Sequence, residues 1–377
     1  MSIRLGVPKE IEAGERRVAL VPAIADRFVK LGVEIFMQRG AGVSSHYPDD
    51  AYQNVTLVDD AAAVYGQADL ILKVQPPSES EIEQMKDGAV VVGMMQPHKF
   101  PERVAKLRDH KILAFAMELV PRISRAQSMD VLSSQAAVAG YKAALLAADH
   151  ASGFFPMLTT AAGTIRPAKV LVIGAGVAGL QAIATTKRLG AMVEGYDVRS
   201  ATREQVESLG AKFVDTGVSA EGEGGYAREL TDEEKAKQQE VLETHLVAAD
   251  AVITTAAIPG RPSPKIIREV IVDQMKPGAV VIDLAAEGGG NCEVTEPGKL
   301  VEHNGVVVYG PLNVPSELPI HASEMYSRNL LNFLTPMIED GEFKPDFNDE
   351  VIADSTLTRE GEIKHAPSRE LVEGSAS

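Results

Sequence analysis

The stretch Lys169–Arg199 constrains the fold more than any other segment of the chain. It reads KVLVIGAGVAGLQAIATTKRLGAMVEGYDVR, in which a short apolar, β-branched run precedes a glycine turn and an apolar helical pattern. Gly174, Gly176 and Gly179 form the GxGxxG turn, and the next strand pattern ends at Asp197. This order of strand, glycine turn, helix and strand predicts a parallel βαβ unit of the dinucleotide-binding type.

Each residue of this pattern has a physical role. Gly174 permits a tight turn, Gly176 lets the backbone approach a pyrophosphate, and Gly179 lets helix and strand pack closely. The helix N-terminus offers N–H groups and a positive dipole end to phosphates. Asp197 can accept hydrogen bonds from an adenosine ribose and would repel a 2′-phosphate. We therefore expect a site that prefers NAD, although Arg199 leaves NADP possible and a turn without ligand is the alternative.

Charge and composition exclude several classes of protein. The net charge of −16 disfavours binding to nucleic acid or to an anionic membrane face. A single cysteine, Cys292, excludes an internal disulfide framework and fits a reducing compartment. The start, MSIRLGVPKE, has no apolar signal region, and no uninterrupted apolar run reaches membrane-spanning length. We expect a cytosolic-type chain.

Strand and helix patterns alternate along the first third of the chain, which predicts a parallel sheet covered on both faces. The strand patterns are Ile3–Val7, Val33–Met37, Leu70–Val74, Ala89–Val92 and Ile112–Phe115. The helical patterns are Ala23–Leu31, Ala61–Tyr65, Glu79–Met85 and Pro101–Arg108.

Two long helical patterns separate this region from the glycine turn and its neighbours. An Ala-rich one begins at Val131, and Ser323–Met337 would return the chain to the first domain, whose tail carries a hairpin pattern at Ser355–Lys364. Between them, further strand patterns and a mobile surface loop at Asp215–Leu230 are expected. The predicted fold is α/β, with two Rossmann-like domains whose parallel sheets are separated by a cleft and linked by two long helices. Domain 1 would comprise residues 1–129 and 323–377, and domain 2 residues 130–322.

The segment Val120–Tyr141, VPRISRAQSMDVLSSQAAVAGY, precedes and enters the Ala-rich helix. It places Arg122, Gln127 and Asp130 in one short loop. This loop is either a solvated connection, with Asp130 or Ser128 capping the helix, or a component of a site. Composition alone does not separate the two interpretations.

Several motifs together resemble one family, the NAD-binding domain I of proton-translocating nicotinamide nucleotide transhydrogenase. They are PRISRAQSMDxLSSQ, AAGTIRPAKVLVIGAGVAGLQAIATTKRLGA, DVR, GGYA, TTAxIPG, IDLAAExGGNC and NLLNFLTP. The resemblance covers nearly the whole chain, is tightest over Val120–Ile338, and is closest to the separately encoded soluble portion of the alpha subunit found in three-subunit forms.

The resemblance implies a cofactor site at matching positions. Its nicotinamide end would be held by a set treated as catalytic: Arg122, Gln127, Asp130 and Ser133. The remaining NAD(H)-binding positions are Ser128, Met129, Gly174, Ala175, Gly176, Val177, Gly179, Asp197, Val198, Arg199, Gly225, Tyr226, Gln238 and Ala257. Hydride transfer needs the ring held at reaction distance rather than a protein acid or base. Gln127 would fix the carboxamide, and Tyr226 would lie on a mobile loop that closes over the cleft.

The resemblance also implies partners. NADH bound here would exchange a hydride with NADP(H) held on a partner subunit, coupled to proton translocation through a membrane proton-channel subunit. The component would be a homodimer that is active only with its partner subunits. It would lie on the cytoplasmic side, soluble or peripherally associated with the inner membrane.

The main alternative is an alanine dehydrogenase-like amino-acid dehydrogenase, in which Arg17 and Lys73 could hold a substrate carboxylate. Against it, Met94-Met95-Gln96-Pro97 lacks the histidine expected there, and Glu287 replaces an expected Asp. Lys73 is therefore better interpreted as a structural cation. A non-catalytic NAD-sensing module is a third possibility. No histidine has metal-ligand spacing, so no metal is expected, and Cys292 is interpreted as a packing residue.

Overall fold

A computed structural model of the chain describes residues 2–218, 230–257 and 260–374. The chain divides into two compact units, each described below by itself. Unit 1 comprises residues 1–135 and 315–377, and unit 2 comprises residues 136–314. The first boundary therefore falls inside the Ala-rich helix.

The strands of the described residues are numbered in chain order. They are β1 Arg4–Val7, β2 Glu34–Gln38, β3 Thr56–Val58, β4 Leu70–Leu72, β5 Val90–Gly93, β6 Leu113–Ala116, β7 Leu158–Thr160, β8 Gly163–Ile165, β9 Lys169–Ile173, β10 Met192–Tyr196, β11 Lys212–Phe213, β12 Ala251–Thr254, β13 Val280–Asp283, β14 Leu300–His303, β15 Val306–Tyr309, β16 Ile338–Glu339, β17 Glu342–Phe343, β18 Thr356–Arg359 and β19 Glu362–Ile363.

The α-helices of the same residues are numbered likewise. They are α1 Pro22–Lys30, α2 Ala61–Gln67, α3 Glu79–Gln84, α4 Pro101–Asp109, α5 Val131–His150, α6 Val177–Arg188, α7 Arg203–Ser208, α8 Asp232–Ala248, α9 Glu269–Val272, α10 Pro319–Leu334, α11 Glu350–Ser355 and α12 Ala366–Glu373.

Unit 1 contains a sheet of order β19-β18-β6-β5-β4-β1-β2-β3. Strands β1 to β6 pair in parallel, whereas β18 pairs antiparallel with both β6 and β19. Successive residues of β4 belong to opposite cores, since Leu70 and Leu72 join one apolar cluster and Ile71 the other. The parallel sheet is thus buried on both faces, as the alternating pattern predicts.

Unit 2 contains a sheet of order β11-β10-β9-β12-β13-β15-β14, parallel except for the outer pair β14 and β15. Its central strand β9 is likewise buried on both faces: Val170 and Val172 join one core, and Leu171 and Ile173 the other. The order reverses between β9 and β12, which creates the switch point where open α/β sheets bind ligands at the carboxyl ends of their strands.

The Ala-rich helix α5 is long and apolar enough, by length and composition alone, to cross a membrane. Within unit 2, however, its residues Ala143, Ala144 and Ala147 are fully buried in the core beneath the sheet. Polar residues such as Lys142 and Asp149 also interrupt its apolar surface. These features are those of a core helix of a folded domain.

Candidate functional site

The turn between β9 and α6 has the geometry expected of GxGxxG. Gly174 has a φ of +94°, a left-handed conformation that favours glycine. A Cβ at Gly179 would lie 1.7 Å from the carbonyl oxygen of Gly174, so only glycine allows this approach. A Cβ at Gly176 would meet open space within 4 Å. The backbone of this turn is therefore accessible at Gly176, and it fits a pyrophosphate at the N-terminus of α6.

A second close approach fixes the start of α6. A Cβ at Gly140, on α5, would lie 2.0 Å from the carbonyl oxygen of Ala178. Glycine inside a helix costs about 0.5–1 kcal/mol relative to alanine. The backbone contact between these two helices explains why glycine stands at this position. Helix α5 thereby positions the N–H groups that would face phosphate, at and after Val177.

Asp197 follows β10 directly and is 7% exposed. Its Oδ2 accepts a hydrogen bond from the backbone N–H of Ala175 at 2.7 Å, which ties the acid to the glycine turn. Its remaining described partners all belong to Arg199, and the carboxylate raises the pKa of that guanidinium through hydrogen bonding, with burial opposing it. The acid expected at the ribose is therefore next to the pyrophosphate turn.

The loop after β12 is held by the buried side chain of Asn291. Its amide group donates to the carbonyl oxygens of Ala256 at 2.7 Å and Pro264 at 2.9 Å, and its Oδ1 accepts from the Ala256 N–H at 3.0 Å. The backbone N–H of Asn291 in turn donates to the buried carboxylate of Asp283 at 2.7 Å. This clamp positions the segment that carries Ala257, one of the expected cofactor-binding residues.

The other expected residues of unit 2 have mixed positions. Val198 packs against the core beside Asp197, and Gln238 on α8 is buried. Gly225 and Tyr226 lie outside the described residues. So does most of the loop expected at 215–230.

The expected nicotinamide-end residues belong to unit 1. Arg122, Gln127 and Ser128 are exposed, whereas Met129 packs against the core. The carbonyl oxygen of Ser128 accepts hydrogen bonds from Nδ2 of Asn329 at 2.9 Å and of Asn332 at 3.1 Å. The loop is thus anchored from below by α10 while its polar side chains face outward.

Asp130 caps helix α5. Its Oδ1 accepts from the backbone N–H of Ser133 at 2.9 Å, and its Oδ2 accepts from the Ser133 hydroxyl at 2.5 Å. The capping interpretation of Asp130 is therefore confirmed. It does not exclude a second role, since each carboxylate oxygen has two lone pairs. Arg125 of the same loop is instead paired with Asp349 at 2.8 Å, away from Asp130 in its bonding.

The sequence-predicted residues thus form two local groups, one in each unit. Unit 2 brings together the turn residues Gly174, Ala175, Gly176 and Asp197. Unit 1 brings together Asp130 and Ser133. No described contact joins Arg122 or Gln127 to either group within its unit beyond the shared loop, although Arg122 has further interactions.

Lys73 lies in a buried cluster of charges. Its side chain is 1% exposed, and its Nζ lies 2.7 Å from Oε1 of Glu81 and 3.3 Å from Oε2 of Glu10. The Tyr65 hydroxyl donates to the same Glu81 oxygen at 2.7 Å. Burial raises the pKa of Glu10, and although burial would lower the pKa of Lys73, the two carboxylates raise it. Lys73 is thus neutralised by acids of its own unit.

Arg17 is neutralised in the same way. Its Nη2 lies 2.6 Å from Oε2 of Glu15, and its Nε donates to Oε1 of that residue at 2.9 Å. Burial alone would raise the pKa of Glu15, but the Arg17 hydrogen bonds and charge lower it to about 2. Gln75 and Ser316 also donate to this carboxylate. Both cations that could hold a substrate carboxylate therefore already bind carboxylates of the chain.

The loop where a dehydrogenase histidine would stand carries Gln96. This residue has a φ of +44°, and its Nε2 donates to Oε1 of Gln75 at 3.2 Å. The buried carboxylate of Glu118 accepts the N–H groups of Met95 and Gln96, and burial raises its pKa. At the other expected position, Glu287 accepts the N–H of Asn313 at 3.0 Å. Neither position presents an acid–base pair.

Cys292 is fully buried, and burial raises the pKa of its thiol to about 11. A thiol in this environment is inert at neutral pH, which fits a packing role. Among residues 2–218, 230–257 and 260–374, no group of three or more His, Cys, Asp or Glu side chains could hold a metal ion.

Sequence reasoning missed two positioning residues, Gly140 and Asn291. Gly140 stands inside an Ala-rich helical pattern, where an isolated glycine signals a close packing contact. Asn291 follows three glycines in GGGNC, shortly after a strand that ends at Asp283. A polar residue at the carboxyl end of a parallel strand is a usable signal, but its partners at 256 and 264 are not visible in the sequence.

Comparison with known proteins places this geometry in a family. The alanine dehydrogenase/PNT N-terminal domain profile matches residues 6–139, and the C-terminal domain profile matches residues 143–366. The chain is 47% identical over 377 residues to an NAD(P) transhydrogenase subunit alpha protein of Rhodospirillum rubrum, covering 96% of this chain and 98% of that protein.

A solved transhydrogenase structure from Sinorhizobium meliloti shares 41% identity and a TM-score of 0.85, covering 97% of this chain and 99% of that one. The alanine dehydrogenase of Methanococcus maripaludis is more distant, at 28% identity over 321 residues, which cover 82% of this chain and 81% of that protein. The chain therefore belongs to the alanine dehydrogenase/PNT family and, within it, to the NAD(P) transhydrogenase alpha subunits.

Proposed function

We propose that this chain is the NAD(H)-binding component of a proton-translocating transhydrogenase. The observation that carries the proposal is the βαβ turn of unit 2, in which Gly174, Gly176 and Gly179 open the backbone at the N-terminus of α6 beside Asp197. When bound, the dinucleotide supplies a hydride. The residues of the chain supply binding and orientation.

Preference for NAD(H) over NADP(H) is assigned to Asp197. A buried carboxylate next to the pyrophosphate turn accepts ribose hydroxyls and repels a 2′-phosphate. NADP(H) would accordingly be held on a partner subunit. This division allows two dinucleotides to react without competing for one site.

The nicotinamide end is assigned to the loop of unit 1 that carries Arg122, Gln127, Asp130 and Ser133. Gln127 is exposed and offers an amide that matches the carboxamide of the ring. Asp130 is held by its bonds to Ser133, so its charge is fixed in place. These groups would hold the ring and balance its charge, and hydride transfer needs no proton from them.

The buried charge clusters argue against amino-acid dehydrogenation. A free carboxylate substrate would have to displace Glu10 and Glu81 from Lys73, or Glu15 from Arg17, within a nearly dry interior. Removing one partner of a buried ion pair is strongly unfavourable. The alternative function therefore lacks its carboxylate site as well as its histidine.

The partners follow from the same proposal. The chain would form a homodimer and would dock to an NADP-binding subunit domain and a membrane proton-channel subunit, on the cytoplasmic side of the inner membrane. The hairpin β7–β8 supports a second copy as partner, since all its strand residues are exposed and the apolar Met157 and Ile165 are among the exposed side chains. The net charge of −16 favours docking to a basic or neutral surface over nucleic acid.

Titration of the purified chain with dinucleotides tests the cofactor assignment. Asp197→Ala should weaken NADH binding by about 1–2 kcal/mol, because a charge-assisted hydrogen bond is lost. NADPH should gain relative to NADH. An unchanged preference between the two dinucleotides would contradict the assigned role of Asp197.

A further inference from the structure

The four acceptor positions of the Asp197 carboxylate are all used inside the chain. Oδ1 accepts from the backbone N–H of Arg199 at 2.9 Å and from its Nε at 2.8 Å. Oδ2 accepts from the Ala175 N–H at 2.7 Å and from Nη2 of Arg199 at 2.8 Å. A carboxylate has about four lone-pair sites, so no acceptor position is left for a ligand.

Two of these four donors are backbone groups and two belong to one guanidinium. The backbone donors, at Ala175 and Arg199, are fixed by the glycine turn and the end of β10. The guanidinium donates side-on as a fork, with Nε on one oxygen and Nη2 on the other. The adjacent 2′- and 3′-hydroxyls of a ribose are also a two-donor fork. The side chain of Arg199 and the ribose therefore require the same two acceptor positions.

We infer that Arg199 competes with the adenosine ribose for Asp197 and thereby sets the affinity and selectivity of the dinucleotide site. The inference rests on the proposed function, because it takes the ribose of NADH to be the ligand of Asp197. Binding of NADH displaces the guanidinium, whose side chain is 23% exposed and can move toward solvent. The apo protein thus keeps a buried acid neutralised, and NADH binding must replace that ion pair.

The same displacement affects selectivity. A guanidinium released from Asp197 stays tethered beside the ribose, where the 2′-phosphate of NADPH would lie. Arginine binds phosphate bidentately, so it offsets some of the repulsion from the acid. Arg199 therefore lowers the affinity for NADH and narrows the preference over NADPH.

A double-mutant cycle on the full chain tests the competition, with NADH binding followed by nucleotide fluorescence. Arg199→Met keeps the aliphatic stem and removes both donors. It should lower the NADH dissociation constant by about threefold to tenfold, the size expected for a part-exposed ion pair. The ratio of the NADPH to the NADH dissociation constant should rise. In an Asp197→Asn background the same substitution should change NADH affinity by less than about twofold.

Arg203→Met is the matched control, because it removes the same charge from a neighbouring arginine that pairs with Asp215 instead. It should leave the NADH dissociation constant within about twofold. Arg199→Lys, which cannot form the fork, should fall between wild type and Arg199→Met. Circular dichroism checks that each variant is folded.

The possible failures are distinguishable. Weaker or unchanged NADH binding by Arg199→Met would overturn the competition, and so would equal tightening with and without Asp197. A fall in the NADPH to NADH ratio would overturn the role in selectivity. If wild type binds no NADH, the proposed function itself fails.

Discussion

Replacement of Lys73 by methionine removes the only described cation between two buried acids. Methionine nearly matches the length of the lysine stem but leaves Glu10 and Glu81 facing each other without Nζ, which lies 3.3 and 2.7 Å from them. The other bonds remain: Val74 N–H still donates to Glu10, and Tyr65 still donates to Glu81. The variant therefore isolates the loss of the positive charge.

The expected cost follows from burial. Breaking a buried ion pair by removing one partner costs about 3–5 kcal/mol. That is a large fraction of the roughly 5–15 kcal/mol by which folded domains are stable. Lys86 gives a matched control, because its Nζ lies 3.2 Å from Asp69 while its side chain is 34% exposed. Lys86→Met should cost about 0–1 kcal/mol, the range of exposed ion pairs.

The cost should also depend on pH. Burial raises the pKa of Glu10 and the Lys73 charge lowers it, so the substitution raises this pKa further above its unfolded value. A carboxyl group with a raised folded pKa contributes stability below its unfolded pKa and loses it as pH rises through the folded pKa. The deficit of Lys73→Met should therefore be larger at about pH 8 than at about pH 5.

Urea unfolding followed by far-UV circular dichroism measures the difference, since the chain has no tryptophan for fluorescence. NADH affinity of the folded Lys73→Met variant should stay within about twofold of wild type, because the dinucleotide turn lies in unit 2. A free energy of unfolding no lower than that of Lys86→Met would refute the structural role of Lys73.

Three further predictions concern other residues. Gly140→Ala should weaken NADH binding by roughly tenfold, because its Cβ meets the carbonyl oxygen of Ala178; Gly66→Ala, a helical control with open space around it, should leave binding unchanged. Gln127→Asn should change NADH affinity by less than about tenfold but reduce hydride transfer in the reconstituted complex by more, since positioning matters most at the transition state; equal losses would mean that the loop only anchors the dinucleotide. Cys292, whose pKa is raised to about 11 by burial, should react with a thiol reagent at neutral pH only after unfolding, and rapid reaction of the native chain would contradict its packing role.

The elements encoded by local patterns are predictable from the sequence. Strand β10 begins and ends as expected, and β9 differs by one residue, because β-branched runs between glycine turns are unambiguous. The hairpin pattern at Ser355–Lys364 is confirmed by the pairing of β18 with β19. The antiparallel pairing of β18 with β6 is not predictable in this way, because that contact joins segments more than two hundred residues apart.

Short exposed strands escape prediction for another reason. The hairpin β7–β8 buries no residue, so it lacks the alternation that marks a half-buried strand. In the candidate site, spacing points to Asp197 but cannot reveal that Arg199 fills its acceptor positions. The sequence favours a structural role for Lys73, yet its partner Glu10 is distant in the chain and only folding brings it near.

Hydride transfer from NADH by the full chain, with and without an NADP-binding partner subunit, tests the central proposal most directly. Two nicotinamide rings must approach to roughly 3–3.5 Å for direct transfer, so the isolated chain should bind NADH without oxidising it. Addition of the partner loaded with NADP⁺ should start the transfer, whereas pyruvate with ammonium should not. Rapid oxidation of NADH by the isolated chain with pyruvate and ammonium would contradict the account and support amino-acid dehydrogenation.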